Sequence, residues 1–92
     1  MKILILGDVM GFSGRKAIKE NLSRIINDKK IDFTVINGEN AADDGRGITK
    51  SMAEEFFFQG VDVITSGNHI WDKKETTDFI EKENRLLRPA NL

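Results

Sequence analysis

Three short apolar, β-branched runs, each followed at once by glycine and polar residues, constrain this chain more than any other feature. Lys2 to Leu6 (KILIL) runs into Gly7-Asp8, Phe33 to Ile36 (FTVI) into Asn37 to Gly47 (NGENAADDGRG), and Val61 to Thr65 (VDVIT) into Ser66 to Asp72 (SGNHIWD). The first run, apolar without alternation after Lys2, reads as a strand buried on both faces of a sheet, and the other two read as strands of the same sheet. Between the runs the periodicity changes. Ile18, Leu22, Ile25 and Ile26 fall at i, i+4, i+7 and i+8, which predicts a helix from about Arg15 to Asp28, after a loop containing Gly11, Ser13 and Gly14. Thr49 or Ser51 can cap a second helix, with Glu54 as capping-box partner of Ser51 and Gly60 positioned to stop it. Asp72 with Glu75 forms a further capping pair, for a third helix ending near Glu83, and Leu86 to Leu92 (LLRPANL) is placed to begin a fourth strand.

Strand and helix thus alternate, which predicts an α/β fold: a parallel βαβαβα unit with right-handed crossovers. A chain of 92 residues has room for one domain, and no internal repeat, linker or low-complexity tract divides it. Its 39% hydrophobic and 32% charged content is that of an ordinary globular protein. The apolar stretch near the start, Ile3 to Leu6, is far too short for a signal peptide or a membrane helix, so the expected location is cytoplasmic, with no membrane partner. The formal net charge of -1 provides no broad surface attraction for nucleic acid, so a phosphate-bearing ligand has to be held locally. With no cysteine, disulfides, thiolate metal sites and cysteine nucleophiles are excluded for this chain. Any metal would need oxygen and imidazole ligands.

In a parallel sheet the loops that follow the strands gather on one edge, where open α/β sheets bind ligands. Those loops deliver Asp8 after the first strand, Glu39 and Asn40 after the second, and Asn68 and His69 after the third. Strands about 4.8 Å apart put three such ends within roughly 10 Å, a width suited to two cations about 3.5 to 4 Å apart. Carboxylate and amide oxygens are hard ligands, and one carboxylate can bridge two ions. Lowering the pKa of a bound water from about 15.7 to about 7 corresponds to roughly 11 kcal/mol, enough to supply a hydroxide nucleophile at neutral pH. Gly7, Gly38 and Gly67 precede the proposed ligands and would let the backbone turn sharply as it leaves the sheet.

Other features read as structural. Phe56, Phe57 and Phe58 suit a core or a subunit interface, and Lys16, Lys19, Glu20 and Arg24 suit a solvated helix face. Arg15 and Arg46 are the two cations in or beside the glycine-containing loops that could meet a phosphate. Gly7, Gly11 and Gly14 match a dinucleotide fingerprint poorly, the spacing being G-x-x-x-G-x-x-G, yet a non-catalytic nucleotide- or phosphate-binding module stands as the alternative function. A purely structural role in oligomerisation is a third reading.

Gly7-Asp8-Val9, Asn37-Gly38-Glu39-Asn40-Ala41 and Gly67-Asn68-His69 resemble the ordered motifs of calcineurin-like metallophosphoesterases, and in particular the YmdB family. Trp71-Asp72-Lys73-Lys74 and Arg88-Pro89-Ala90-Asn91 extend the likeness over all 92 residues. The resemblance implies that Asp8 and Asn40 bind a first metal, Glu39 bridges both, Asn68 binds the second, and His69 protonates the leaving oxygen. Where the wider superfamily has Asp-x-His, position 10 is Met10, and Asn40 would fill the gap as it does in the YmdB branch. It further implies phosphodiesterase activity on cyclic nucleotides, two iron or manganese ions, oligomers and an α/β/β/α sandwich. The family also carries three later histidine ligands, whereas this chain has only His69. Residues 1–92 therefore look like one partial domain, about the first third of a family member, expected to have little activity alone. A sheet missing its second layer would leave apolar edges for a homo-oligomer or a complementing chain.

Overall fold

Leu6, Ile36, Ile64 and Leu86 stand in one row across four neighbouring strands, and that row is the centre of the core. The computed structural model describes residues 1–42, 47–67 and 83–87. The elements are β1 (Ile3–Asp8), α1 (Gly11–Lys29), β2 (Phe33–Asn37), α2 (Lys50–Gln59), β3 (Val63–Thr65) and β4 (Leu86–Leu87). The strands lie in the order β1-β2-β3-β4 and each pair is parallel, so the α/β architecture and the start of a fourth strand are as the sequence implied. The expected third helix after Asp72 lies outside the described residues. No helix among the described residues is long and apolar enough to cross a membrane.

Side chains alternate across a strand, so each strand divides its residues between two faces. On one face Thr34, Ile36, Ile64 and Leu86 are buried, packed with Leu22 of α1 and with Ala53 and Phe56 of α2. The other face is bare: Ile3 is 55% exposed, Ile5 74%, Phe33 36% and Leu87 46%. The expectation that the first strand is buried on both sides is therefore corrected. An unbroken apolar run can satisfy two covered faces, but strands in sequential order with crossovers of one hand bring their helices to a single side. The three phenylalanines divide likewise, Phe56 being buried, Phe57 half-buried and Phe58 92% exposed.

The first helix begins at Gly11, earlier than periodicity predicted, and the supposed glycine loop is its first turn. Gly11 takes a positive φ of 54°, and the Gly14 N–H donates to the Met10 carbonyl at 3.0 Å. Gly14 serves close packing, since a Cβ there would come within 3.0 Å of Val9 Cγ1. Glycines in a helix lower its intrinsic propensity, which is why the turn looked like a loop. For the second helix the choice falls on Thr49, whose hydroxyl accepts from the Met52 N–H at 3.2 Å. Ser51 lies inside α2, and Gly60 closes the helix in the left-handed conformation at φ 116°. The charges of α1 are solvated as expected, with Lys16 and Glu20 3.9 Å apart on the exposed face.

Ile64→Ala, which empties a fully buried position, should cost about 2 to 5 kcal/mol in urea denaturation, whereas Ile5→Thr on the bare face should change stability by less than about 0.5 kcal/mol. Equal losses at the two positions would contradict the one-sided core. Glu83 accepts from Arg85 Nε and Nη2, both at 2.8 Å, and this hydrogen bonding holds its carboxyl below the usual glutamate range. A carboxylate depressed in the folded state contributes stability that is present at neutral pH and lost as pH falls through the folded value. The Leu86 and Leu87 amide signals should accordingly shift only below the ordinary glutamate titration, and a midpoint at the usual value would show that the pair is not formed in solution.

Candidate functional site at the carboxyl edge of the sheet

The residues leaving β1, β2 and β3 are tied to one another through the main chain. The register of β1 on β2 runs Leu6 to Ile36 and then Asp8 to Asn37, so Gly7 is an extra residue that carries Asp8 into line with the end of β2. Irregularities of this kind bend a strand end and re-aim the side chain that follows. The Val9 N–H donates to the Asn37 carbonyl at 3.1 Å, and the Gly11 N–H to the Asn40 carbonyl at 2.9 Å. On the other side the Gly38 N–H donates to the Thr65 carbonyl at 2.8 Å. The β2 exit is thereby held from both neighbours.

Within that exit Asn37 turns the chain. Its side-chain carbonyl accepts from the Glu39 N–H at 2.9 Å, the local turn that asparagine forms two residues ahead of itself. The Gly47 N–H then closes on the Glu39 carbonyl at 2.6 Å, and the Ala42 N–H on the Gly47 carbonyl at 2.9 Å. Arg15, from α1, donates a guanidinium N–H to the Ala41 carbonyl and lies 5.8 Å from the Phe12 ring centroid.

Asp8 and Asn40 meet directly. The Asn40 amide nitrogen donates to both carboxylate oxygens of Asp8, at 3.0 and 3.1 Å. Half a turn of that amide would present its oxygen beside the Asp8 carboxylate instead. The Glu39 side chain reaches the exit of β3, where its carboxylate packs over Gly67. The described part of the site therefore offers two carboxylates and one amide along a single edge, all hard oxygen donors of the kind that hold divalent cations. Among the described residues no three His, Cys, Asp or Glu side chains form a group that could hold a metal ion by themselves. The donor set present fits part of a cation site, with further ligands required. Asn68, His69 and Arg46 lie outside the described residues.

Sequence reading missed two contributors. Asn37 carries a signal in retrospect, being an asparagine immediately before glycine at a strand end. The other is the way the glycines act. Gly7, Gly38 and Gly67 are absent from the positive-φ positions, so sharp turning is not what they supply. A Cβ at Gly38 would come 2.9 Å from Ile64 Cγ2 and 3.1 Å from Ile48 Cδ1, one at Gly67 would collide with Glu39, and one at Gly7 would meet nothing within 4 Å. Asn37→Ala should remove the turn's hydrogen bond, lower stability by about 0.5 to 1.5 kcal/mol and speed amide hydrogen exchange at Glu39. Unchanged protection at Glu39 would contradict this account of the loop.

Comparison with known proteins bears on the family of the chain. A bacterial relative from Bacillus subtilis (strain 168), named 2',3'-cyclic-nucleotide 2'-phosphodiesterase, is 48% identical over 91 residues, which is 99% of this chain and 34% of the relative. The crystal structure of a novel phosphatase from Mycoplasma pneumoniae superposes with a TM-score of 0.91 at 36% identity, covering 100% of this chain and 32% of that one. A hypothetical protein from Thermus thermophilus gives a TM-score of 0.88 at 36% identity, covering 99% and 34% respectively. The chain thus spans about a third of the length of the relatives it matches. The family described as YmdB-like protein matches residues 4–92, and with that match over nearly its whole length the chain belongs to the YmdB-like family.

Proposed function

We propose that this chain forms part of the active centre of a cytoplasmic metal-dependent phosphodiesterase acting on cyclic nucleotides. In this reading Asp8, Glu39, Asn40 and Asn68 are ligands of two cations, iron or manganese, and His69 protonates the leaving oxygen. The observation that carries it is the gathering of Asp8, Asn40 and Glu39 at one sheet edge. The names of the relatives, a cyclic-nucleotide phosphodiesterase and a phosphatase, point the same way.

A phosphodiester is an anion, and two carboxylates facing it would repel it. When bound, a pair of cations supplies Lewis-acid charge against the phosphoryl oxygens. The chain's own groups then have separable tasks. Asp8 and Glu39 bring negative charge to the cations, while Asn40 and Asn68 add neutral oxygens that leave more of the positive charge for substrate. His69 gives its proton to the departing oxygen, the general-acid role that a positioned imidazole group can take. With His69 as its one histidine, this chain holds fewer ligands than the resemblance calls for, so completion by further sequence, a second copy or a complementing chain belongs to the proposal. The bare apolar face supports that element of it.

The 92-residue chain with Mn²⁺ should hydrolyse bis(4-nitrophenyl) phosphate no faster than the buffer blank, and it should elute above its monomer mass in concentrated gel filtration. A full-length protein carrying these residues should turn the ester over, with Glu39→Gln lowering kcat/KM by about 100-fold or more. Robust turnover by the short chain would refute the incompleteness of its site, and full activity in the Glu39→Gln protein would refute the assignment of Glu39 as a metal ligand.

A further inference from the structure

We infer that Gly67 is a positioning residue for Glu39, its missing side chain being the slot in which the Glu39 carboxylate sits against the exit of β3. The inference rests on the reading of Glu39 as a metal ligand and adds the residue that decides where its carboxylate goes. A Cβ built at Gly67 would lie 2.5 Å from Glu39 Oε2, and closer still to the other oxygen and the carboxyl carbon. Real Cβ atoms essentially never approach so near, so with alanine at this position the carboxylate must leave. Backbone conformation does not explain the glycine, since Gly67 is not among the positive-φ residues. Space for a charged group does.

Glu39 has little freedom to yield by moving its backbone. Its N–H is held by Asn37 Oδ1 at 2.9 Å and its carbonyl by the Gly47 N–H at 2.6 Å. The preceding Gly38 is wedged against Ile64 and Ile48, where a Cβ would already be at 2.9 and 3.1 Å. What remains mobile is the side chain. A methyl group at position 67 therefore rotates the carboxylate off the β3 exit, and a group that reached across two strand ends then serves only one. Gly7 is the internal contrast: it precedes Asp8 as Gly67 precedes Asn68, yet a Cβ there meets nothing within 4 Å. The two glycines look alike in sequence and differ in what they accommodate.

The test is NMR on the 92-residue chain, metal-free and during titration with Mn²⁺. The wild-type chain should show a nuclear Overhauser contact between the Glu39 γ protons and the Gly67 α protons, and Mn²⁺ should broaden Asp8, Glu39, Asn40 and Gly67 together. Gly67→Ala should lose the Glu39 proximity and need about tenfold more Mn²⁺ for equal broadening, the scale of losing a group that orients a ligand. Gly7→Ala should keep the wild-type curve. If Gly67→Ala also lowers the melting temperature, the double variant Gly67→Ala/Glu39→Ala should recover it, because the collision is gone. Absence of the wild-type contact, an unchanged Mn²⁺ curve in Gly67→Ala, or failure of the double variant to recover would each overturn the inference. A wild-type chain that shows the contact and yet no broadening at any Mn²⁺ concentration would instead sink the metal reading, and the steric claim would still be decided by where Glu39 moves in Gly67→Ala.

Discussion

The hydrogen bonding of one short segment, the exit of β2, is what the remainder of this structure depends on. Asn37 and Asn40 accept from Val9 and Gly11 on one side, and Gly38 donates to Thr65 on the other. These are main-chain bonds, so they hold whatever side chains the loop carries. Their consequence is chemical. Asn40 is delivered to Asp8, and Glu39 to Gly67, without either side chain having to find its place unaided. Ordering long side chains costs conformational entropy, and a backbone already fixed leaves less of it to be lost when a ligand arrives.

The molecule is divided by the same logic of alternation. One sheet face is closed by α1 and α2, the opposite face shows Ile3, Ile5, Phe33 and Leu87 to solvent, and the carboxyl edge is polar. An apolar face of this kind is ordinarily covered. The relatives matched by this chain are about three times as long, and the elements described in this structure close only one side of the sheet. The bare face thus has a plain physical basis: one layer of helices closes one side of a sheet, while the row of strand exits gathers the polar groups of Asp8, Glu39 and Asn40 along one edge.

Much of the fold was legible in the residues. The three apolar runs became β1, β2 and β3, Leu86 and Leu87 became β4, and Thr49 and Gly60 bounded α2 as capping chemistry suggested. The errors have physical causes. The start of α1 was missed because Gly11 and Gly14 weaken helix propensity, while packing of Gly14 against Val9 needs the small residue there. The first strand looked doubly buried because an apolar run records what a strand tolerates, and not how many layers cover it. In the site, the types and order of Asp8, Glu39 and Asn40 were readable, since hard oxygen donors after successive strands are a local pattern.

By itself, then, the sequence determined the alternation of strand and helix and the polar character of the strand exits, because periodicity and composition are properties of neighbouring residues. Only the tertiary structure decided that Asn40 faces Asp8, that Glu39 lies over Gly67, and that one sheet face stays bare. Those depend on contacts between residues distant in the chain, on the extra residue at Gly7 and on the side to which the crossovers carry the helices. Such contacts follow from the register between strands, and no local pattern encodes that register.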